Sequence, residues 1–212
     1  MTALQLRRPR DMGLLIVVGG PGGSGSSTIA KMLARNYGLH YVYGGSFLRK
    51  YAEDYGYTDI RDFLISKEFQ ENREVIDQAV DSKLLRASSW HDVLIDSKVF
   101  AAVATNMQIP CTVRIWLNAS LHTRVRRTLH KQGRIDLSMR LPKYSNIYKN
   151  TEISLRDRYF LDKSRYKDLY GIDYSKPEKY NDIVIDTSPL NEGQTMELLL
   201  SMIKKGGYLD PK

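Results

Sequence analysis

Eight consecutive residues, Gly20-Pro21-Gly22-Gly23-Ser24-Gly25-Ser26-Ser27, carry the clearest chemistry in the chain. They fit the phosphate-binding pattern G-x-x-x-x-G-K-[ST] at every fixed position but one, because Ser26 stands where the lysine belongs. A glycine-rich turn lets the backbone approach an anion closely. Set between a strand and a helix, it presents consecutive backbone N–H groups at the positive end of the helix dipole, and these bind phosphate whatever the side chains are. Gly20, Gly22, Gly23, Ser24, Gly25, Ser26, Ser27 and Thr28 are therefore expected to hold nucleotide phosphates, with the Ser27 hydroxyl on Mg2+. Losing the lysine removes on the order of a few kcal/mol of transition-state stabilisation unless arginines elsewhere supply the charge.

Such arginines stand in "RDRYFLDKSRYKDLYGIDY", residues 156–174. Arg158 and Arg165 are seven residues apart, with Asp162 between them. Seven residues make about two helical turns, so all three should project to one side and the arginines should flank one anionic ligand. Phosphoryl transfer depends on such cations, being mostly positioning and charge neutralisation. The competing reading is a solvated charged helix face.

The surrounding elements alternate as βαβ units do, which predicts an α/β fold with a five-stranded, mainly parallel sheet. Strands are expected at 14–19, 39–44, 92–96, 111–117 and 182–187, and helices at about 26–37 and 69–87. A last helix should open with Ser188 as N-cap and Pro189 at its first position. The polar stretch 132–150 reads as a long irregular loop, and such loops are usually functional. With 212 residues, 42% hydrophobic and 26% charged, the chain suits one ordinary domain. No apolar run approaches the roughly 20 residues of a membrane span. The residues before the first strand make a poor signal peptide and read as a frayed tail. The single cysteine, Cys111, is expected in the core, and a cytoplasmic protein fits best. A net charge of +8 allows a nucleic-acid partner, a membrane surface or a pocket for a polyanionic small substrate. The basic residues thicken between Arg124 and Arg165, which favours a phosphate clamp. No stacking aromatics alternate with them as a nucleic-acid platform requires.

The run "GGPGGSGSSTIAKMLARNYGLHYVYGGSFLR", then Asp77 and Asp81, "NASLHTRVRR", "SRYKDLYGID" and "YNDIVIDTS" resembles the archaeal-type cytidylate kinases, over about residues 14–204. These belong to the nucleoside monophosphate kinase group of P-loop proteins and commonly carry a threonine where other P-loop kinases have the lysine. The resemblance implies a single three-layer P-loop kinase domain, with acceptor-binding helices at about 45–88 and a lid at about 132–165. It implies transfer of the γ-phosphoryl of ATP to a nucleoside monophosphate, CMP or dCMP first, with Mg2+. A monomer is expected. Residue by residue, Arg158 and Arg165 match the lid arginines and Arg49 the acceptor-phosphate arginine, giving the catalytic set. Gly45, Arg49, Asp77, Asp81 and Lys98 fall on the acceptor side. Arg124 and Arg127 match arginines facing the lid and adenine or serving the structure, and Asp182 to Ser188 match the segment passing the adenine ring. The chain departs from the family at Asp96-Ser97-Lys98, where Gly-Arg is usual, and at Ser82-Lys83, where two arginines are usual. Its lid is longer, with extra Arg134, Arg140 and Lys143. The alternatives are a P-loop kinase for a different small acceptor and a catalytically weak nucleotide-binding regulatory protein.

Overall fold

The computed structural model describes residues 8–139 and 142–209. Five short strands, β1 (Leu15–Gly19), β2 (His40–Tyr43), β3 (Val93–Asp96), β4 (Val113–Asn118) and β5 (Ile183–Asp186), form one sheet in the order β2-β3-β1-β4-β5. Every pairing is parallel, including Val18 opposite Asp96 and Gly19 opposite Trp116. Eight α-helices lie among the described residues: α1 (Ser26–Tyr37), α2 (Gly44–Asp54), α3 (Ile60–Ile65), α4 (Lys67–Ser88), α5 (Phe100–Asn106), α6 (Leu121–Lys131), α7 (Asn146–Tyr170) and α8 (Glu192–Lys205).

The apolar run of β1 explains why it is central. Ile16 and Val18 pack with Ile29 and Leu33 of α1 and Leu199 and Ile203 of α8. Leu15 and Val17 turn the other way, onto Leu84 of α4 and Phe100 of α5. A strand covered on both faces needs consecutive hydrophobic residues rather than alternation. The result is the expected three-layer α/β fold, with all five strands delivering their carboxyl ends to one rim. Ligands of open parallel sheets bind at that rim.

The structure corrects three expectations. Residues 146–150 are helical, so the irregular stretch ends at Ser145; buried Tyr148, packed with Val125, Leu129 and Ile135, supplies the apolar anchor that the polar composition conceals. The last helix is capped by Asn191, whose side chain forms a reciprocal capping box with Gln194. Ser188 cannot serve, since its hydroxyl donates to Asp186 Oδ1 at 2.5 Å. The tail is tied down from Arg8 onward: its guanidinium donates to the carbonyls of Gly13, Met12, Ser88 and Trp90 at 2.6–3.1 Å. Residues 1–7 of that tail and Arg140 of the lid stretch lie outside the described residues. Cys111 is buried in the β1–α5 core as expected.

Candidate active site

The loop between β1 and α1 stands at the sheet rim, and its glycines are demanded by close neighbours. A Cβ on Gly20 would lie 2.4 Å from the Leu117 carbonyl oxygen. Gly23 has φ +82, and a Cβ there would meet the Arg124 carbonyl oxygen at 2.7 Å. Two arginines of α6 brace the loop from behind. Arg124 Nε donates to the Gly22 carbonyl at 2.8 Å, and Arg127 Nη1 donates to the Ser24 carbonyl at 2.8 Å. Arg127 continues to Thr187 Oγ1, the Thr187 carbonyl and the Leu190 carbonyl. Of the two roles open to these arginines, the structure shows the bracing one. Ser24 is buried, and its Oγ accepts the Ser26 N–H at 3.4 Å, so its side chain stiffens the turn.

Beneath Ser27 lies a carboxylate that sequence reasoning missed. Asp96 ends β3, is 4% exposed, accepts from Tyr41 Oη at 2.7 Å, and is hydrogen-bonded to the Ser27 hydroxyl. Burial pushes its carboxyl above the usual range, against the two hydroxyl bonds and the charge of Lys31. The signal was an aspartate closing the apolar strand "VLID". It becomes legible only once β3 is known to lie beside β1. Ser27 and Asp96 form an all-oxygen donor pair next to a phosphate site, which suits a hard cation such as Mg2+ that keeps waters and substrate phosphates as its remaining ligands. No cluster of three or more His, Cys, Asp or Glu occurs among the described residues, and this mode of binding needs none.

Facing the loop, α7 carries the expected arginines, though each is engaged separately. Arg158 Nε lies 3.3 Å from Asp162 Oδ1, and Lys98 bonds the other oxygen of the same carboxylate. Arg165 Nη2 lies 2.9 Å from Asp77 Oδ1 and rests on the rings of Phe69 and Tyr166. Its Nε and Nη1 are buried without a partner, as are Arg73 Nε and Asp77 Oδ2. Buried donors of this kind are costly unless a ligand completes them. Burial raises the carboxyl of Asp77 above its ordinary range despite Arg165. Arg73 donates to the Arg165 carbonyl at 3.2 Å and helps pin that stretch of α7 to α4. A cavity of about 190 Å³ opens among Leu64, Phe69, Arg73, Asp162 and Arg165.

The structure thus gathers Lys98, Arg158, Arg165 and Asp77 around the α4–α7 junction. Asp81 joins them at one remove, accepting a hydrogen bond from Tyr170 Oη. Arg49 is not gathered: it is exposed, with its guanidinium 5.3 Å from the centre of the Tyr43 ring. Gly45 lies under that same ring, where a Cβ would come within 2.5 Å. Lys83 stacks on Phe47 and Tyr51. Asp182 is at the amino end of β5, clamped by Arg114 at 3.0 Å, so it stands at the sheet's opposite rim from the phosphate loop. Only the later part of that segment, Thr187 onward, reaches the loop.

Comparison with known proteins agrees with this geometry. A family model described as an AAA domain matches residues 18–140. The chain is 32% identical over 199 residues to the cytidylate kinase of Methanopyrus kandleri, covering 91% of this chain and 94% of that one. It is 30% identical to the cytidylate kinase of Methanocaldococcus jannaschii, covering 82% and 89%. Among solved structures, shikimate kinase from Acinetobacter baumannii in complex with shikimate superposes with a TM-score of 0.54 at 18% identity, over 94% of this chain and 96% of that one. A gluconokinase from Sinorhizobium meliloti superposes at 0.51 and 13%, over 93% and 94%. The two structures speak for the fold alone. No helix among the described residues is long and apolar enough to cross a membrane. The sequence relatives and the braced phosphate loop together place the chain: it belongs to the archaeal-type cytidylate kinase family, a family of P-loop phosphotransferases.

Proposed function

We propose that the protein moves the γ-phosphoryl of ATP onto a nucleoside monophosphate, with CMP or dCMP as the preferred acceptor. The observation that carries this reading is the Arg165 guanidinium, paired through Nη2 alone. Its buried Nε and Nη1 lack a partner, on a helix whose Leu155 reaches within 3.5 Å of a Cβ position on Gly22 of the phosphate loop. Buried donors left unpaired on a helix that borders the phosphate loop suit an acceptor that brings its own phosphate. The named activity of the sequence relatives supports CMP.

In this reading the loop from Gly20 to Thr28 holds the ATP phosphates through backbone N–H groups. Ser27 and Asp96 would hold Mg2+, which when bound neutralises charge on the β- and γ-phosphates. Arg158 contacts Asp162 through Nε alone, which leaves its terminal nitrogens for phosphate oxygens. Arg165 and Lys98 serve the acceptor phosphate, and Arg49 joins them only by leaving the Tyr43 ring on which the structure holds it. The acceptor oxygen is already anionic, so in-line attack needs no strong general base. The charge missing at Ser26 is supplied from α7 and the turn after β3. The segment 132–165, working as a lid, excludes water and so prevents ATP hydrolysis. The reading includes a monomer working in the cytoplasm.

Steady-state ADP release with ATP, Mg2+ and each of CMP, dCMP, UMP and AMP tests it. The expected result is turnover with the cytidine monophosphates foremost. No ADP with any acceptor, alongside tight ATP binding by calorimetry, selects a catalytically weak nucleotide-binding protein instead.

A further inference from the structure

Asp162 is 1% exposed, and the roles assigned above do not use it. Its carboxylate is shared between two cations from different elements. Lys98, in the turn two residues beyond Asp96, bonds Oδ2, and Arg158 of α7 approaches Oδ1 through Nε at 3.3 Å. Lys98 commits one of its three N–H donors, and Arg158 only its inner nitrogen. Burial opposes a charge on Asp162, yet Lys98, Arg158 and Arg165 outweigh it and hold the carboxyl below its usual range. Stability alone is a poor reason for such an arrangement, because apolar residues of similar volume commonly replace buried ion pairs without loss. The arrangement does fix two long, flexible side chains in register beside a loop that lacks its own lysine.

We propose that Asp162 is a positioning residue, holding the Lys98 ammonium and the Arg158 guanidinium side by side with their remaining donors free for phosphate oxygens. It acts from behind the cations and touches neither nucleotide. This inference rests on the phosphotransferase reading above.

The test compares wild type, Asp162→Asn, Lys98→Met and the double variant. Readouts are kcat, the KM for each substrate, the Tm, and calorimetric CMP binding without ATP. Asp162→Asn should lower kcat on the order of tenfold and raise the acceptor KM and CMP Kd about as much, with the ATP KM within about threefold. In the Lys98→Met background the same change should alter acceptor KM and CMP Kd by less than about twofold, because residues acting through one another do not multiply their effects. Wild-type kinetics in Asp162→Asn, or losses that multiply in the double variant, overturn the inference. A merely structural role would lower the Tm and leave the kinetics of the folded fraction unchanged. Should Asp162→Asn fail to fold, Asp162→Glu keeps the charge and moves it by one methylene. Positioning then predicts a lowered kcat at near-native Tm, and wild-type kcat refutes it. A wild type that phosphorylates no monophosphate refutes the proposed function and this inference with it, whereas active wild type with unaffected variants refutes the inference alone.

Discussion

Arg127 is the joint between the phosphate loop and the segment after β5, and its truncation gives a sharp test of how the loop is held. Its guanidinium donates to the Ser24 carbonyl at 2.8 Å, Thr187 Oγ1 at 2.9 Å, the Thr187 carbonyl at 2.7 Å and the Leu190 carbonyl at 2.9 Å. Hydrogen bonds to a charged group contribute about 1.5–3 kcal/mol each when buried. Arg127 is only part-buried, water can reach the Leu190 carbonyl, and the Thr187 hydroxyl, whose one proton has the Asn118 carbonyl at 2.9 Å, can turn to the Ser24 carbonyl at 3.2 Å. The net loss in Arg127→Ala is therefore about 3 kcal/mol rather than the sum of four bonds. At about 2–4 °C per kcal/mol for a chain of this size, the Tm should fall by about 6–12 °C. If half of that energy had been spent on ordering the loop, ATP affinity falls about tenfold. Calorimetric unfolding and titration with a non-hydrolysable ATP analogue measure both. Arg127→Lys, which keeps the charge and loses the planar fork, should fall between. An Arg127→Ala protein within about 1 °C of wild type with unchanged nucleotide affinity would refute the bracing argument.

Gly23→Ala should destabilise by at least about 1–3 kcal/mol from backbone strain, and should disturb ATP binding as well, because the added carbon meets the rigid Arg124 carbonyl; an unchanged denaturation midpoint refutes this. Burial pushes the Cys111 thiol up to about 12, so a disulfide reagent at mildly alkaline pH should label it only after unfolding. Prompt stoichiometric labelling of the native protein would contradict its placement. The backbone N–H of Leu14, donated at 2.9 Å, holds the Asp92 carboxyl below its usual range. A depressed folded pKa contributes stability above the unfolded value of about 4 and loses it as pH falls through the folded value. Wild type and Asp92→Asn should differ in stability at neutral pH and converge on acidification; parallel curves would show that Asp92 is not the group involved.

Most of the sheet was legible because buried parallel strands announce themselves as apolar runs, and "LLIVVG" could hardly be anything else. The phosphate loop was equally legible, since its glycines are dictated by local geometry. Asp96 was not, because its meaning depends on β3 lying beside β1, a pairing of residues nearly eighty positions apart. The spacing of Arg158, Asp162 and Arg165 correctly put them near one another, but helical geometry alone could not show that Arg158 and Arg165 would take different carboxylates. Ser188 looked like a helix cap because its type is right; the nearby Asp186 claims its hydroxyl and hands the cap to Asn191. Arg49 shows the reverse limit, a residue matched by motif that the fold leaves out on the Tyr43 ring.

Helix α7 runs unbroken for 25 residues. Along it, in order, lie Leu155 near the phosphate loop, Arg158 and Asp162 with Lys98, Arg165 with Asp77, and Tyr170 with Asp81. From Leu155 to Tyr170 is about 22 Å of rigid rod, so a tilt of about 5° at the loop end moves the other end by about 2 Å. The phosphate-loop end and the Asp77–Asp81 end are therefore geared together: neither can move without leverage on the other, and a defect at Tyr170 should be felt at the phosphate loop with no chain of contacts through the sheet.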